Sequence, residues 1–136
     1  MSAPRFLLDA DVFSAIARQT STAAARRLAE LESGSVAVSV ITAAEVNFGL
    51  CKRPVGAAVA LRIARLQQVL PVLPLGAQAA PHYGRTRAEL ERRGTPIGPN
   101  DLWLAAHALA DDLTVVTGNT REFTRVPGLK VENWLR

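Results

Sequence analysis

The sequence predicts an α/β protein, a three-layer α/β/α sandwich around a mostly parallel sheet of four or five strands. Short apolar runs alternate along the chain with longer segments of helical periodicity, and the connections between them are short. The first run, Phe6-Leu7-Leu8, is continuously apolar, which is typical of a strand covered on both faces of a parallel sheet. No repeat, linker or low-complexity tract divides the chain, so we expect residues 1–136 to form a single domain.

Five segments have the composition of strands. The run from Val36 to Val40 is rich in β-branched residues. Pro71 and Pro74 place the next run at an edge of the sheet, where missing N–H donors do least harm. The predicted strands are, in chain order, 6–8, 36–40, 71–75, 113–117 and 129–131.

Helices are predicted between these strands. Thr42, followed three residues later by Glu45, has the spacing of a capping box and predicts a helix start. Val59, Ile63 and Leu66 recur at helical spacing and predict an amphipathic helix. The predicted helices are, in chain order, 12–18, 22–32, 41–50, 57–70, 77–93 and a last one from 100 or 101 to 111 or 112.

Composition limits the class of protein. Hydrophobic residues make up 49% of the 136, which argues against disorder and allows one sizeable core. No apolar run approaches the roughly 20 residues that span a bilayer, and residues 1–5 lack the apolar core of a signal peptide. We therefore expect a cytoplasmic protein without a membrane partner. Cys51 is the only cysteine, which excludes an intrachain disulfide, and we expect its side chain to be buried.

The positive charge of the chain is carried by arginine. The formal net charge is +4, and of the 16 basic residues only Lys52 and Lys130 are lysines. Arginine pairs with phosphate in a bidentate manner, so the excess is compatible with a nucleic-acid partner. A GC-rich genome produces the same bias without selection for binding, so the charge supports that partner only weakly.

Three of the 12 acidic residues occupy positions that surface solvation explains poorly. Asp9 ends the first strand, Glu45 lies early in the helix after the second, and Asp101 opens a very apolar helix. In a parallel sheet the ends of strands and the starts of the following helices lie at one edge. We therefore expect the three carboxylates to converge. Helix capping explains Asp9 alone equally well, but capping does not explain the convergence.

Carboxylates gathered in this way repel one another unless a cation compensates them. Mg²⁺ takes oxygen ligands and keeps waters for a phosphate substrate. A metal held by Asp9, Glu45 and Asp101 can activate water and stabilise the charge that develops on a phosphate. The pattern therefore predicts hydrolysis of a phosphodiester without a covalent nucleophile.

The residues around these acids resemble a known family. The segments Leu7 to Ser14 and Ser39 to Val46 resemble the first two motifs of PIN-domain nucleases. The segments Pro96 to Ala108 and Val115 to Phe123, with the ending Val126 to Trp134, are similar to VapC-type toxins. The resemblance covers nearly the whole chain in the right order.

The resemblance implies an endoribonuclease that depends on Mg²⁺ or Mn²⁺ and acts as the toxin of a type II toxin–antitoxin module. Such toxins are usually homodimers, and a small VapB-like antitoxin silences them. The antitoxin binds operator DNA, so the toxin reaches operator DNA only indirectly. RNA is the implied substrate.

The resemblance also implies roles for individual residues. Asp9, Glu45 and Asp101 match the family's acidic positions and are the implied catalytic and metal-binding residues. Asn119 stands where many members carry a fourth acid, which leaves a second metal site open, and Glu122 one turn further on is the candidate to supply that charge.

Other residues have supporting roles or compete with the site. Asp11 stands where asparagine is commoner in the family and is expected to accept a hydrogen bond behind the metal ligands. His107 lies about 120° from Asp101 around the helix, so we expect a packed side chain instead of a ligand for the same ion. The arginines are expected to form a solvated face or to follow an RNA backbone. The candidate phosphate contacts are Arg87, Arg93 and Arg121.

Two alternative functions remain open at this stage. The strand followed by Asp9-Ala10-Asp11 resembles the nucleophile and acid–base pair of HAD-type phosphatases, although no phosphate-holding lysine is evident. The other alternative is a nucleic-acid-binding or antitoxin-docking scaffold that has lost its chemistry, and Asn119 motivates it.

Overall fold

The computed structural model describes residues 2–136, and in this range it contains one five-stranded sheet. The strands are β1 (Phe6–Leu8), β2 (Val36–Ser39), β3 (Val72–Leu73), β4 (Thr114–Val116) and β5 (Lys130–Glu132). Their order across the sheet is β3-β2-β1-β4-β5, and every neighbouring pair is parallel. The prediction of a mostly parallel sheet with β1 inside it is confirmed.

Helices connect the strands. They are α1 (Ala10–Ala17), α2 (Thr22–Glu30), α3 (Val40–Lys52), α4 (Ala57–Val69), α5 (Ala79–Arg92), α6 (Pro99–Asp111) and α7 (Thr120–Phe123). The short helix α7 lies between β4 and β5, where no helix was predicted. None of the helices within residues 2–136 combines the length and the apolar character that crossing a bilayer requires.

Two apolar clusters cover opposite faces of the sheet and make the three layers. Phe6 and Leu8 of β1 belong to one cluster together with side chains of α1, α2 and α4. Leu7 belongs to the other cluster with side chains of α5, α6 and α7. Because successive side chains of a strand point to opposite faces, β1 is buried on both sides. Asp9 therefore follows a strand that is fixed in the centre of the domain.

The start of α3 differs from the prediction. Ser39 is the N-cap, with its Oγ accepting a hydrogen bond from the Ile41 N–H at 3.1 Å, so the helix begins before Thr42. Thr42 is buried instead, and its hydroxyl donates to the Leu8 carbonyl at 3.0 Å. The predicted capping box is wrong, because Glu45 lies in the second turn of the helix and is directed to other partners.

Two further expectations are decided by burial. Cys51 is exposed, so the expectation of a buried thiol is wrong; it lies near the end of α3. His107 is buried, and its Nδ1 lies 2.8 Å from the Ser39 hydroxyl. The expectation of a packed histidine is confirmed.

Candidate functional site

The carboxyl ends of β1, β2 and β4 meet at one edge of the sheet, because these three strands are adjacent and parallel. Each of them is followed immediately by a polar side chain with a defined partner. Asp9 follows β1, Ser39 ends β2 and caps α3, and Thr117 follows β4. This edge is where an open α/β sheet binds ligands, and the candidate site is built there.

Asp9 is both a helix cap and the most buried acid of the site. Its side chain is 8% exposed; Oδ1 accepts from the Ala10 N–H at 2.8 Å, and Oδ2 accepts from the Thr117 hydroxyl at 2.8 Å. Burial raises the pKa of Asp9 above its ordinary value, although the two hydrogen bonds lower it. Capping and site formation are therefore not alternatives for this residue.

Glu45 reaches the same region from α3. The side chain is half-buried, and burial followed by the charge of Asp9 raises the pKa of Glu45. A hydrogen bond from Asn100 opposes this rise because it stabilises the charged carboxylate. Asn100 and Asp101 are neighbours at the start of α6, so this contact joins α3 to the segment that carries the third acid.

Asp101 lies in the first turn of α6, directly after Asn100. Burial raises the pKa of Asp101 to about 7, and a hydrogen bond with Glu122 and the charges of Asp9 and Glu45 add to the rise. A group with this pKa is partly protonated at neutral pH. The three predicted acids thus act on one another electrostatically, with Glu122 as a fourth member.

Asn119 and Glu122 form a pair beside Asp101. The Asn119 Nδ2 donates to Glu122 Oε2 at 3.0 Å, and the backbone N–H of Asn119 donates to the Thr117 hydroxyl at 2.9 Å. The carboxylate that interacts with Asp101 is therefore held from α7 by the residue at the fourth acidic position. Glu122 supplies the negative charge, and Asn119 holds its carboxylate in place.

Asp11 is used differently from the other acids. It is exposed, and its two oxygens accept from the Val12 N–H at 2.7 Å and the Gly118 N–H at 2.9 Å. A Cβ at position 118 would lie 2.6 Å from Asp11 Oδ2 and 2.7 Å from Leu135 Cδ1. Asp11 therefore connects α1 to the loop after β4, and a glycine is required for that close approach.

Two residues of the site, Thr117 and Asn100, are not among the candidates named from the sequence. Thr117 follows β4, and Asn100 lies at the start of α6. The rule that selected Asp9, namely that side chains following central strands face the ligand edge, applies equally to Thr117. Nothing in the sequence indicates that Asn100 contacts Glu45, because that contact depends on how α3 packs near α6.

The carboxylates of the site are of the chemical type that binds a hard divalent cation. They offer only oxygen ligands, and the raised pKa values of Asp9, Glu45 and Asp101 show that their negative charges are poorly compensated. Within residues 2–136, however, no group of three or more acidic, histidine or cysteine side chains is close enough to hold one ion together. The residues fit a metal by chemistry and charge, and they are not assembled as a finished coordination shell.

The candidate phosphate contacts lie on or beside two helices. Arg87 of α5 donates to Glu91 at 2.8 Å and to the Tyr83 hydroxyl at 3.2 Å, and Arg93, the residue directly after α5, donates to Glu89 at 2.8 Å. Arg121 lies on α7, next to Glu122, and is exposed. Of the three candidates, Arg121 alone lies on an element that carries a residue of the acidic site.

Comparison with known proteins gives a consistent result. Residues 6–129 match the model of the PIN domain family. The chain is 36% identical over 130 residues to a protein of Shigella flexneri named tRNA(fMet)-specific endonuclease VapC, a match that covers 96% of this chain and 98% of the relative.

Solved structures with the same fold include VapBC complexes. VapBC2 from Rickettsia felis, bound to a DNA fragment from its promoter, aligns with a TM-score of 0.85 and 31% identity over 95% of this chain and 98% of that one. DNA-bound VapBC from Salmonella typhimurium aligns with a TM-score of 0.82 and 36% identity over 96% and 98%.

Proposed function

The chain belongs to the PIN domain family, and from that membership we propose that it is a ribonuclease that acts as the toxin of a toxin–antitoxin pair. The observation that carries the proposal is the electrostatic interaction of three acids from distant segments: the charge of Asp9 raises the pKa of Glu45, and the charges of Asp9 and Glu45 raise that of Asp101. Its relatives named VapC are described as ribonucleases and endonucleases.

We propose Asp9, Glu45 and Asp101 as the residues that hold Mg²⁺ or Mn²⁺. A bound divalent cation supplies an activated water and stabilises the charge that develops on a phosphodiester during cleavage. The protein's own part is to orient these ligands. Thr117 fixes the carboxylate of Asp9, and Asn100 fixes that of Glu45.

Glu122 and Asn119 support the third ligand. At neutral pH Asp101 is partly protonated, which reduces the electrostatic repulsion among the acids. A cation that binds at the site releases this proton. Glu122 accepts from Asn119, so its position relative to Asp101 is fixed before a cation binds. Asp11 holds the loop that carries these residues and is not proposed as a ligand, because both of its oxygens already accept backbone N–H groups.

The partners follow from the relatives. We propose that a small antitoxin inhibits this chain and that operator DNA is contacted through the antitoxin; the related VapBC complexes from Rickettsia felis and Salmonella typhimurium are bound to DNA. A homodimer, a cytoplasmic location and a single domain over residues 1–136 complete the proposal. The single sheet with apolar clusters on both of its faces supports the last of these.

The phosphatase alternative is not retained, because the chain matches the PIN domain family instead and both oxygens of Asp11 accept from backbone N–H groups. The scaffold without activity is the competing hypothesis. Its motivation, Asn119, is weakened by the pairing with Glu122, which keeps a carboxylate beside Asp101.

The direct test is cleavage of an end-labelled RNA by the purified chain. Initiator tRNA is the first substrate to try, since the Shigella relative is named for it. We expect cleavage with Mg²⁺ or Mn²⁺ and none with EDTA. The cleavage rate of Asp101→Asn is expected to be at least about 100-fold lower, because loss of a metal ligand costs at least as much activity as loss of a residue that hydrogen-bonds to a ligand.

A matched control is Asp112→Asn, at the opposite end of α6. Asp112 is exposed and adopts a left-handed conformation (φ 54°) that asparagine tolerates well. This variant is expected to cleave at the wild-type rate. Cleavage at that same rate by Asp101→Asn would remove the proposed mechanism, and metal-independent RNA binding without cleavage would favour the scaffold.

A further inference from the structure

A small cavity lies between α5 and the first turn of α6, and the proposed chemistry does not use it. Its volume is about 290 Å³, near the lower end of the range for small-molecule sites. Apolar groups supply much of the lining, from Leu90 of α5, Leu102 of α6 and Ile97 of the loop that connects the two helices. A cavity of this size and lining suits a single flat ring system.

One wall of the cavity is aromatic. Tyr83 lines it and is stacked on Trp103, with ring centroids 4.0 Å apart and planes inclined by 25°. Trp103 does not line the cavity, so it supports the tyrosine from behind. An aromatic ring held in this way offers a rigid surface for another ring to stack on.

The charges at the cavity cancel. Arg87 and Glu91 both line it, and they are paired with each other at 2.8 Å, while Arg87 also donates to the Tyr83 hydroxyl. A phosphate group would need an excess of positive charge, which this pair does not provide. A neutral ligand with hydrogen-bonding edges fits the combination of an apolar interior, an aromatic wall and a balanced ion pair.

The cavity adjoins the helical turn that carries Asp101. Pro99 and Leu102 line it, and Asp101 lies in the same helical turn, whose pitch is only about 5.4 Å. The connecting loop is restrained by its prolines and by Arg125, whose Nη1 donates to the Pro96 carbonyl at 3.0 Å. The wall of the cavity and the ligand Asp101 are therefore positioned by one rigid segment.

We propose that this cavity receives one unstacked nucleobase of the RNA, next to the phosphodiester that is cut. The inference rests on the proposed function and deepens it, because it assigns a site of substrate selection. Proteins commonly recognise single-stranded RNA by splaying a base out and stacking it on an aromatic side chain. Arg87 then contacts a base instead of a phosphate, which revises its expected role.

The test uses synthetic oligonucleotides that carry an abasic nucleotide at each position around the cleavage site in turn. In the wild type, one position is expected to lower kcat/KM by about tenfold, the loss that removal of one stacked base produces. Ile97→Trp fills the cavity, and Tyr83→Leu removes the aromatic wall. In both variants the ratio of intact to abasic kcat/KM at that position is expected to fall close to one.

Val69→Trp is the matched control, since it adds the same ring at an exposed position of α4, on the other face of the sheet. This variant is expected to keep the tenfold ratio. A ratio of intact to abasic kcat/KM near one at every position in the wild type would overturn the proposed base site. An unchanged ratio in Ile97→Trp and Tyr83→Leu would do the same, and neither result would contradict the proposed nuclease activity. Absence of any cleavage of intact RNA by the wild type would overturn the proposed function as well.

Discussion

Glu122 of α7 acts on Asp101 at the start of α6, where its hydrogen-bonding capacity and its charge both raise the pKa of Asp101. With a pKa of about 7, Asp101 is partly protonated at neutral pH in the metal-free protein. Asn119 holds Glu122 from the other side. The arrangement links the protonation of the site to the stability of the fold and to the binding of a cation.

The first prediction concerns stability against pH without metal. The folded-state pKa of Asp101, about 7, is above its ordinary value of 3.8, so the folded protein takes up this proton before the unfolded chain does. The contribution of Asp101 to the free energy of unfolding therefore increases as the pH falls from about 7 to about 4. Above pH 7 the ionised carboxylate destabilises the folded protein to its full extent. Because Asp101 is only half-buried, solvent screening limits the effect to about 1 kcal/mol.

Thermal unfolding in EDTA at pH 5.5 and pH 8 measures this effect. His107 works in the opposite direction, because burial lowers its pKa and its protonation at acid pH favours unfolding. The comparison must therefore be made between the wild type and Asp101→Asn, which retains His107. We expect the variant to be more stable than the wild type at pH 8, by about 3–5 °C in Tm, and no more stable at pH 5.5. Equal stability of the two proteins at pH 8 would contradict the repulsion among the acids.

The second prediction concerns Thr117. Thr117→Val removes the hydroxyl that donates to Asp9 and leaves a buried carboxylate with one donor fewer. We expect the affinity for Mg²⁺ to fall about 10- to 100-fold, as is found for partners that orient metal ligands. Calorimetric titration with Mg²⁺ measures this directly. Thr117→Ser keeps the hydroxyl and should bind Mg²⁺ nearly as tightly as the wild type does. A low Mg²⁺ affinity in Thr117→Ser would show that the packing of the Thr117 methyl group, and not its hydrogen bond, is responsible.

The third prediction concerns the close approach at Gly118. Gly118→Ala places a Cβ within 2.6 Å of Asp11 Oδ2, so the loop after β4 must shift. We expect a loss of about 1–3 kcal/mol in the free energy of unfolding, the usual cost of overpacking, measured by urea denaturation. The loss should be smaller in an Asp11→Ala background, because part of the clash has been removed. Full additivity of the two substitutions would show that they do not interact.

The fourth prediction concerns Arg121. Arg121→Gln should weaken RNA binding and reduce by about one the slope of log K against log salt concentration, as expected for one lost phosphate contact. Binding is measured with Ca²⁺ in place of Mg²⁺ across a range of salt concentrations. Arg26→Gln, on exposed α2 at the other face of the sheet, is the control. A slope that changes equally in both variants would assign the effect to net charge alone.

The sequence was sufficient to predict the sheet. The choice of Asp9, Glu45 and Asp101 rests on a rule that involves only strand ends and helix starts, and these follow from local hydrophobic patterns. The start of α3 was placed too late because Ser39 and Thr42 are both good caps. The choice between them depends on whether the Thr42 hydroxyl reaches the Leu8 carbonyl, a contact between distant segments.

The partners of the acids were harder to predict for the same reason. The contacts of Asn100 with Glu45 and of Asn119 with Glu122 depend on how the helices are set against the sheet. The exposure of Cys51 also depends on which face of α3 remains uncovered. Residue type alone indicates only how often a side chain is buried on average.

The pairing of β1 with β4 places Leu8 opposite Val116, and therefore joins the beginning of the chain to a segment near its end. Asp9 leaves the ribosome early in synthesis, yet its partner Thr117 is added only when most of the polypeptide already exists. A nascent fragment consequently lacks the geometry needed to cut RNA. For a ribonuclease toxin, this order of assembly delays activity until synthesis of the chain is nearly complete.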